Sequence, residues 1–164
     1  MEQEKERKLY LMVGCPGSGK STFLKHHTFE GTTKIISRDE IRFSLIKDDD
    51  LYFSKEKEVW LEFVRRAKES LKTNDNTILD ATHIDRSSRL KILSTLGPAL
   101  KDVYVCAIVL PKTLETLLKQ NSQRSGRSYV PEDVIKRMYE RFTIPSSEEG
   151  FDEIIVIKRK ETKI

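Results

Sequence analysis

Cysteine is almost missing from this 164-residue chain. Only Cys15 and Cys106 occur, far apart and without ligand spacing, which excludes a disulfide framework and points to a reducing cytoplasm. The few histidines, His26, His27 and His83, build no metal-ligand cluster with them. No apolar stretch approaches a membrane span and no secretory signal opens the chain, so no membrane partner is expected. Repeats and Pro/Gly/Ser-rich linkers are also missing, and a single domain over residues 1–164 is expected. Nor does one sign of charge dominate: 30 Lys and Arg face 26 Asp and Glu, for a net +4. That mild excess permits an anionic substrate, but the charged ends, Met1 to Lys8 and Lys158 to Ile164, are too short to serve as basic nucleic-acid arms. Composition leaves the oligomeric state open.

What is present is concentrated. Gly14 to Ser21 read G-C-P-G-S-G-K-S, a complete phosphate-binding loop, with Thr22 following. An apolar run, Lys8 to Val13, precedes it, and a segment suited to a helix, Lys20 to Phe29, follows. Strand, glycine-rich turn and helix are the context in which this motif has meaning. Gly14, Gly17 and Gly19 let the backbone of Gly14, Cys15, Pro16, Gly17, Ser18 and Gly19 curl its N–H groups inward, and the helix adds its positive end. Lys20 is expected to reach the β- and γ-phosphates of ATP, and the Ser21 hydroxyl to hold Mg²⁺.

Strand-length apolar runs fall at Leu9–Val13, Lys34–Ser37, Thr77–Leu79, Val103–Leu110 and Glu153–Ile157, mostly separated by helix-period segments. That alternation predicts an α/β fold: a mostly parallel sheet with helices on both faces. Ser54 to Lys72 is the longest helix candidate, with Val59, Trp60, Phe63, Val64, Ala67 and Leu71 on one face and Trp60 expected in the core. Lys47 to Asp50 reads as a solvated loop. Thr113–Arg124 and Pro131–Phe142 are further helices.

The carboxyl ends of strands line the ligand crevice of open parallel sheets. Ser37-Arg38-Asp39 ends the second run, so Asp39 is expected on the loop's rim. There it suits a general base for an attacking hydroxyl, while also reading as the N-cap of a helix over Glu40–Ile46. Asp80, ending the third run in D-A-T-H, suits Mg²⁺ or the attacking oxygen, or simply a hydrogen-bonded strand end. His83 reads as a structural group or a substrate contact. Arg124 and Arg127 flank Ser125-Gly126 between two helices, the pattern of a mobile lid that brings cations to a transferring phosphoryl group. Arg38 and Arg42 fit a basic acceptor groove, with Arg86 and Arg89 as candidates to extend it.

Taken in order, G-C-P-G-S-G-K-S-T, S-R-D-x-x-R at Ser37–Arg42, D-A-T-H at Asp80–His83, and Q-N-S-Q-R leading to V-P-E-D-V at Val130–Val134 resemble the 5′-kinase domain of the phage T4 type of polynucleotide kinase and related P-loop kinases. The similarity covers nearly the whole chain. It implies a five-stranded parallel sheet with a helical lid, as in adenylate kinase, and transfer of the ATP γ-phosphate to a 5′-hydroxyl of DNA or RNA in nucleic-acid repair. It matches Asp39 to the general base, Arg42 to the arginine on the acceptor phosphate and Arg124 to the lid arginine. The chain departs from the pattern in a lid one residue longer, so that Arg127 could share that role, in His83 where Asn is frequent, and in an Asp80 one place early. It carries no D-x-D-x-T phosphatase motif. A kinase of a small hydroxylated metabolite or nucleoside, and a non-catalytic ATP-binding module, are the competing readings.

Overall fold

The computed structural model describes residues 6–126 and 129–158. Five apolar runs form five strands: β1 (Arg7–Val13), β2 (Thr33–Ser37), β3 (Asn76–Asp80), β4 (Val103–Val109) and β5 (Glu153–Val156). All pair in parallel, in the order β2-β3-β1-β4-β5. β1 lies at the centre and is covered on both faces, which is why no charged residue interrupts it from Leu9 to Val13. Leu9, Leu11 and Val13 join one core with residues from α3 (Glu56–Thr73) and α4 (Arg86–Leu96). Met12 enters a second core on the opposite face, with Phe23 and Leu24 of α1 (Lys20–His26).

α3 buries Val59, Phe63, Val64, Ala67 and Leu71. Trp60 stops at the margin of that core rather than inside it: Arg38 lies 5.5 Å and Lys91 4.5 Å from its ring centroid. α2 (Arg38–Leu45) starts two residues earlier than its sequence suggests. Ser37, not Asp39, is the N-cap, its hydroxyl accepting from the Glu40 N–H at 3.2 Å. Asp39 therefore stands in the first turn with its carboxylate released from capping.

The expectation that Arg89 extends an acceptor groove is overturned by burial. Its side chain is wholly enclosed, paired with Glu149 at 2.6 Å, and donates to the carbonyls of His83 and Thr143 at 2.9 and 3.0 Å. It ties α4 to the segment before β5. Arg86, by contrast, is exposed at the start of α4.

Two further helices, α5 (Leu114–Ser122) and α6 (Glu132–Arg141), pack on each other beside the loop. A third small core, Cys15, Ile84, Leu117 and Ile135, joins them to it. Among the described residues no helix is long and apolar enough to cross a membrane.

Candidate active site

β1, β2 and β3 end side by side, and their ends bring the chemistry together. The register places Ser37 opposite Asp80, while Gly14 leaves the end of β1 with its N–H donating to the Thr82 carbonyl at 2.9 Å. The glycine-rich loop then turns sharply. Gly17 and Gly19 have φ of +88° and +95°, which side chains resist. At Gly14 a Cβ would come within 2.4 Å of the Ser18 hydroxyl oxygen. That hydroxyl is buried and has no hydrogen-bond partner.

Lys20 bends back over the loop, its Nζ donating to the Gly14 and Cys15 carbonyls at 2.8 and 3.1 Å. Burial pushes its pKa down, and the Asp80 carboxylate works against that shift. A buried cation whose partners are mostly neutral carbonyls, beside an orphan hydroxyl and a helix start, is a cradle for an anion. These residues fit a nucleotide phosphate. Asp80 is raised by burial and opposed by Lys20, with the charges of Asp39 and Glu40 adding to the rise. Lys20 thus feels the charges of Asp80, Arg124 and Asp39, and Asp80 those of Lys20 and Asp39. Ser21 is exposed in the first turn of α1, on the same rim. Among the described residues no three His, Cys, Asp or Glu side chains cluster as a metal cage. Ser21 and Asp80 are the residues that could hold a Mg²⁺ ion here.

The second half of the rim is a side-chain network. Asp39 Oδ1 accepts from Arg42 Nη1 and from the Tyr52 hydroxyl, the latter at 2.7 Å. No donor among the described residues reaches Oδ2. Arg42 also forks onto Glu56, with Nε to Oε2 at 3.1 Å and Nη2 to Oε1 at 2.9 Å, and Nη1 reaches the Tyr52 oxygen at 2.9 Å. Its guanidinium lies 4.4 Å from the Tyr52 ring centroid. Arg38 adds a 2.5 Å pair to the same Glu56, and its Nε is buried without a partner. Burial alone would raise the Glu56 pKa, but hydrogen bonds and charge from the two arginines bring it below the ordinary value. Arg42, expected as an open acceptor clamp, is thus only 5% exposed and already paired. Arg38 is the more open cation, with 27% of its side chain exposed. Tyr52 and Glu56 went unnoticed in the sequence because they lie in a loop and at a helix start with no motif. The one available signal was an acid reachable from R-D-x-x-R.

The lid side is pinned by Asn121, which is buried. Its Nδ2 donates to the Val130 carbonyl at 2.6 Å and its Oδ1 accepts from the Val130 N–H at 3.0 Å. Arg124 lies just beyond α5, half-buried; Arg127 is outside the described residues. His83 is placed away from substrate. It is buried with φ +44°, its Nδ1 lies 2.8 Å from the Met12 carbonyl oxygen, and burial pushes its pKa down to about 4. Its burial and its bond to the backbone of β1 favour the structural alternative.

Residues 9–145 match the family model described as the AAA domain. The chain belongs to the AAA domain family. This AAA domain has the P-loop kinase fold. It is 31% identical over 149 residues to the L-seryl-tRNA(Sec) kinase of Methanococcus maripaludis, covering 88% of this chain and 56% of that protein. To a putative bifunctional polynucleotide kinase/RNA ligase of Autographa californica nuclear polyhedrosis virus it is 24% identical over 149 residues, covering 83% of this chain and 21% of that protein. Its fold is similar to a chain of the Pnkp1/Rnl/Hen1 RNA repair complex, with a TM-score of 0.71 at 24% identity, over 85% of this chain and 45% of that one. The AAA domain thus spans little more than half of one curated relative and about a fifth of the other.

Proposed function

We propose that this AAA domain transfers the γ-phosphate of ATP to a hydroxyl carried on a nucleic acid, with the 5′-hydroxyl of DNA or RNA as acceptor. The observation that carries the reading is Asp39: a carboxylate in the first turn of α2, released from capping, held through one oxygen by Arg42 and Tyr52, beside the cations Arg38 and Arg42. The resemblance to the T4-type kinases and the likeness to a chain of an RNA repair complex support it.

The residues divide the work. The loop from Gly14 to Ser21 and Thr22 holds the donor phosphates, with Lys20 swinging from the loop carbonyls to the charge they bring. Asp39 Oδ2 takes the proton of the attacking hydroxyl as its oxygen bonds to the γ-phosphorus. Arg42 keeps that carboxylate aimed, and Arg38 meets the acceptor's adjacent phosphate. Arg124 supplies positive charge from the lid side as the bond to the leaving oxygen breaks. Ser21 and Asp80 would hold Mg²⁺, which would supply positive charge to the phosphates when bound.

A second reading has one specific support, the 31% identity to an L-seryl-tRNA(Sec) kinase: the acceptor hydroxyl would then belong to a seryl group on tRNA. Labelled ATP with Mg²⁺ and a panel of 5′-OH DNA, 5′-OH RNA, seryl-tRNA and small polyols separates the two. Label on the 5′-OH oligonucleotides is expected. Label confined to seryl-tRNA promotes the second reading, and label confined to polyols sinks both.

A further inference from the structure

Beside Asp39 stands a surface that the phosphoryl-transfer machinery leaves unused. Leu51, Tyr52 and Phe53 are consecutive apolar residues, yet they are 81%, 37% and 60% exposed. Three large apolar side chains in a row on a solvated loop are unusual unless something covers them. These rings are held in place. Tyr52 donates to Asp39 and accepts from Arg42, and its ring packs edge-on against Phe53 at 4.6 Å and Phe43 at 6.1 Å. The Arg42 guanidinium also lies 5.5 Å from the Phe53 ring centroid.

The Tyr52 hydroxyl bonds to Asp39, so this wall borders the carboxylate that would receive an acceptor hydroxyl. A small polyol offers C–H groups to exposed rings but neither a flat π-face nor a phosphate. A nucleotide offers a flat π-face for the ring and a phosphate for the neighbouring guanidinium groups, which matches the pairing present here. We infer that Phe53, backed by Tyr52 and Leu51, is a stacking platform for the nucleobase of the acceptor's 5′-terminal nucleotide. The inference rests on the nucleic-acid reading of the acceptor site.

The test compares two 5′-OH oligonucleotides, one with adenine on its terminal nucleotide and one abasic there, at saturating ATP. The wild-type chain is expected to show a KM about tenfold lower for the adenine acceptor, the usual size of one base–aromatic stack. Phe53→Ala should raise that KM to the abasic value, and Phe53→Trp should restore the gap. Equal KM values for the two acceptors in the wild-type chain, or an intact gap in Phe53→Ala, overturn the platform while leaving the kinase reading standing. No transfer to either oligonucleotide overturns the 5′-hydroxyl reading instead. In that event 2-aminopurine at the 5′ end decides the platform: quenching by the wild-type chain that Phe53→Ala loses supports it, and no quenching, or quenching that survives, refutes it. Phe53 is exposed, so a thermal melt is expected to show the variants folded.

Discussion

The donor half of the rim is made of one continuous stretch of backbone, Gly14 to Ser21, while the acceptor half is made of side chains from three separate places: Arg38, Asp39 and Arg42 on α2, Tyr52 in the following loop and Glu56 on α3. The donor half needs glycines at two left-handed positions and one buried lysine. The acceptor half needs a charge network in which two carboxylates and a phenol compete for two guanidinium groups. Backbone groups recognise phosphate whatever molecule carries it, so a loop of this kind suits any kinase. Side chains can be exchanged one at a time, so under the proposed function substrate choice would reside in the acceptor half.

The sharpest way to break this contrast is Asp39→Asn. The amide keeps the size and the place in α2 but cannot take a proton, and Ser37 rather than Asp39 caps the helix. Turnover should fall by about 10²–10⁴-fold with ATP affinity nearly intact. Isothermal titration with ATP beside steady-state rates checks both parts. Should ATP binding collapse as well, Asp39 belongs to the donor half and the division fails. Lys20→Ala is the mirror experiment. It should cost on the order of 10²–10³-fold in rate and, unlike Asp39→Asn, weaken the nucleotide's hold, with the melting curve little changed.

His83 tests whether the two halves share one support, since it props β1 just before the loop. Its pKa in the folded chain, about 4, is below the ordinary 6.5. The unfolded chain therefore binds a proton first as pH falls, so stability drops from about pH 6.5 downwards and levels near pH 4. The full loss is about 3 kcal/mol. Denaturation midpoints across that range should fall more steeply for the wild-type chain than for His83→Gln. Parallel slopes would remove histidine from the account.

The smallest expected effect is at Glu56. Glu56→Gln leaves hydrogen-bonding shape but removes the negative charge shared by Arg38 and Arg42. If that carboxylate occupies ground an acceptor phosphate would take, KM for a nucleoside 3′-monophosphate should fall by roughly fivefold, the size of a partly exposed ion pair. KM for ATP should stay put. A rise in acceptor KM would show instead that Glu56 holds the two arginines in working position.

How far the sequence could be read follows the same division. The three inner strands were visible as apolar runs because strands buried on both faces have little polar alternation to obscure them, and the edge strands β2 and β5 showed as shorter runs around Ile35-Ile36 and Ile154-Ile155. The loop was visible because its chemistry is local. Arg89 misled, since an arginine near a rim looks like a substrate contact until its partner Glu149, sixty residues away, is found beside it. The Glu56 partner of Arg42, fourteen residues on, was equally invisible. α4 has almost no apolar periodicity; Asp85 starts it by accepting from the Ser88 N–H at 2.8 Å.

Eight residues and the alternation of runs were enough to determine the parallel sheet and the phosphate cradle, because backbone conformation and burial follow from near neighbours and periodicity. Which arginines face solvent, which are spent in buried pairs, and that Tyr52 and Phe53 stand beside Asp39 were decided only when α2, α3 and the segment before β5 came together. A charged side chain is defined by its partner, and partners distant in sequence meet only in the folded chain.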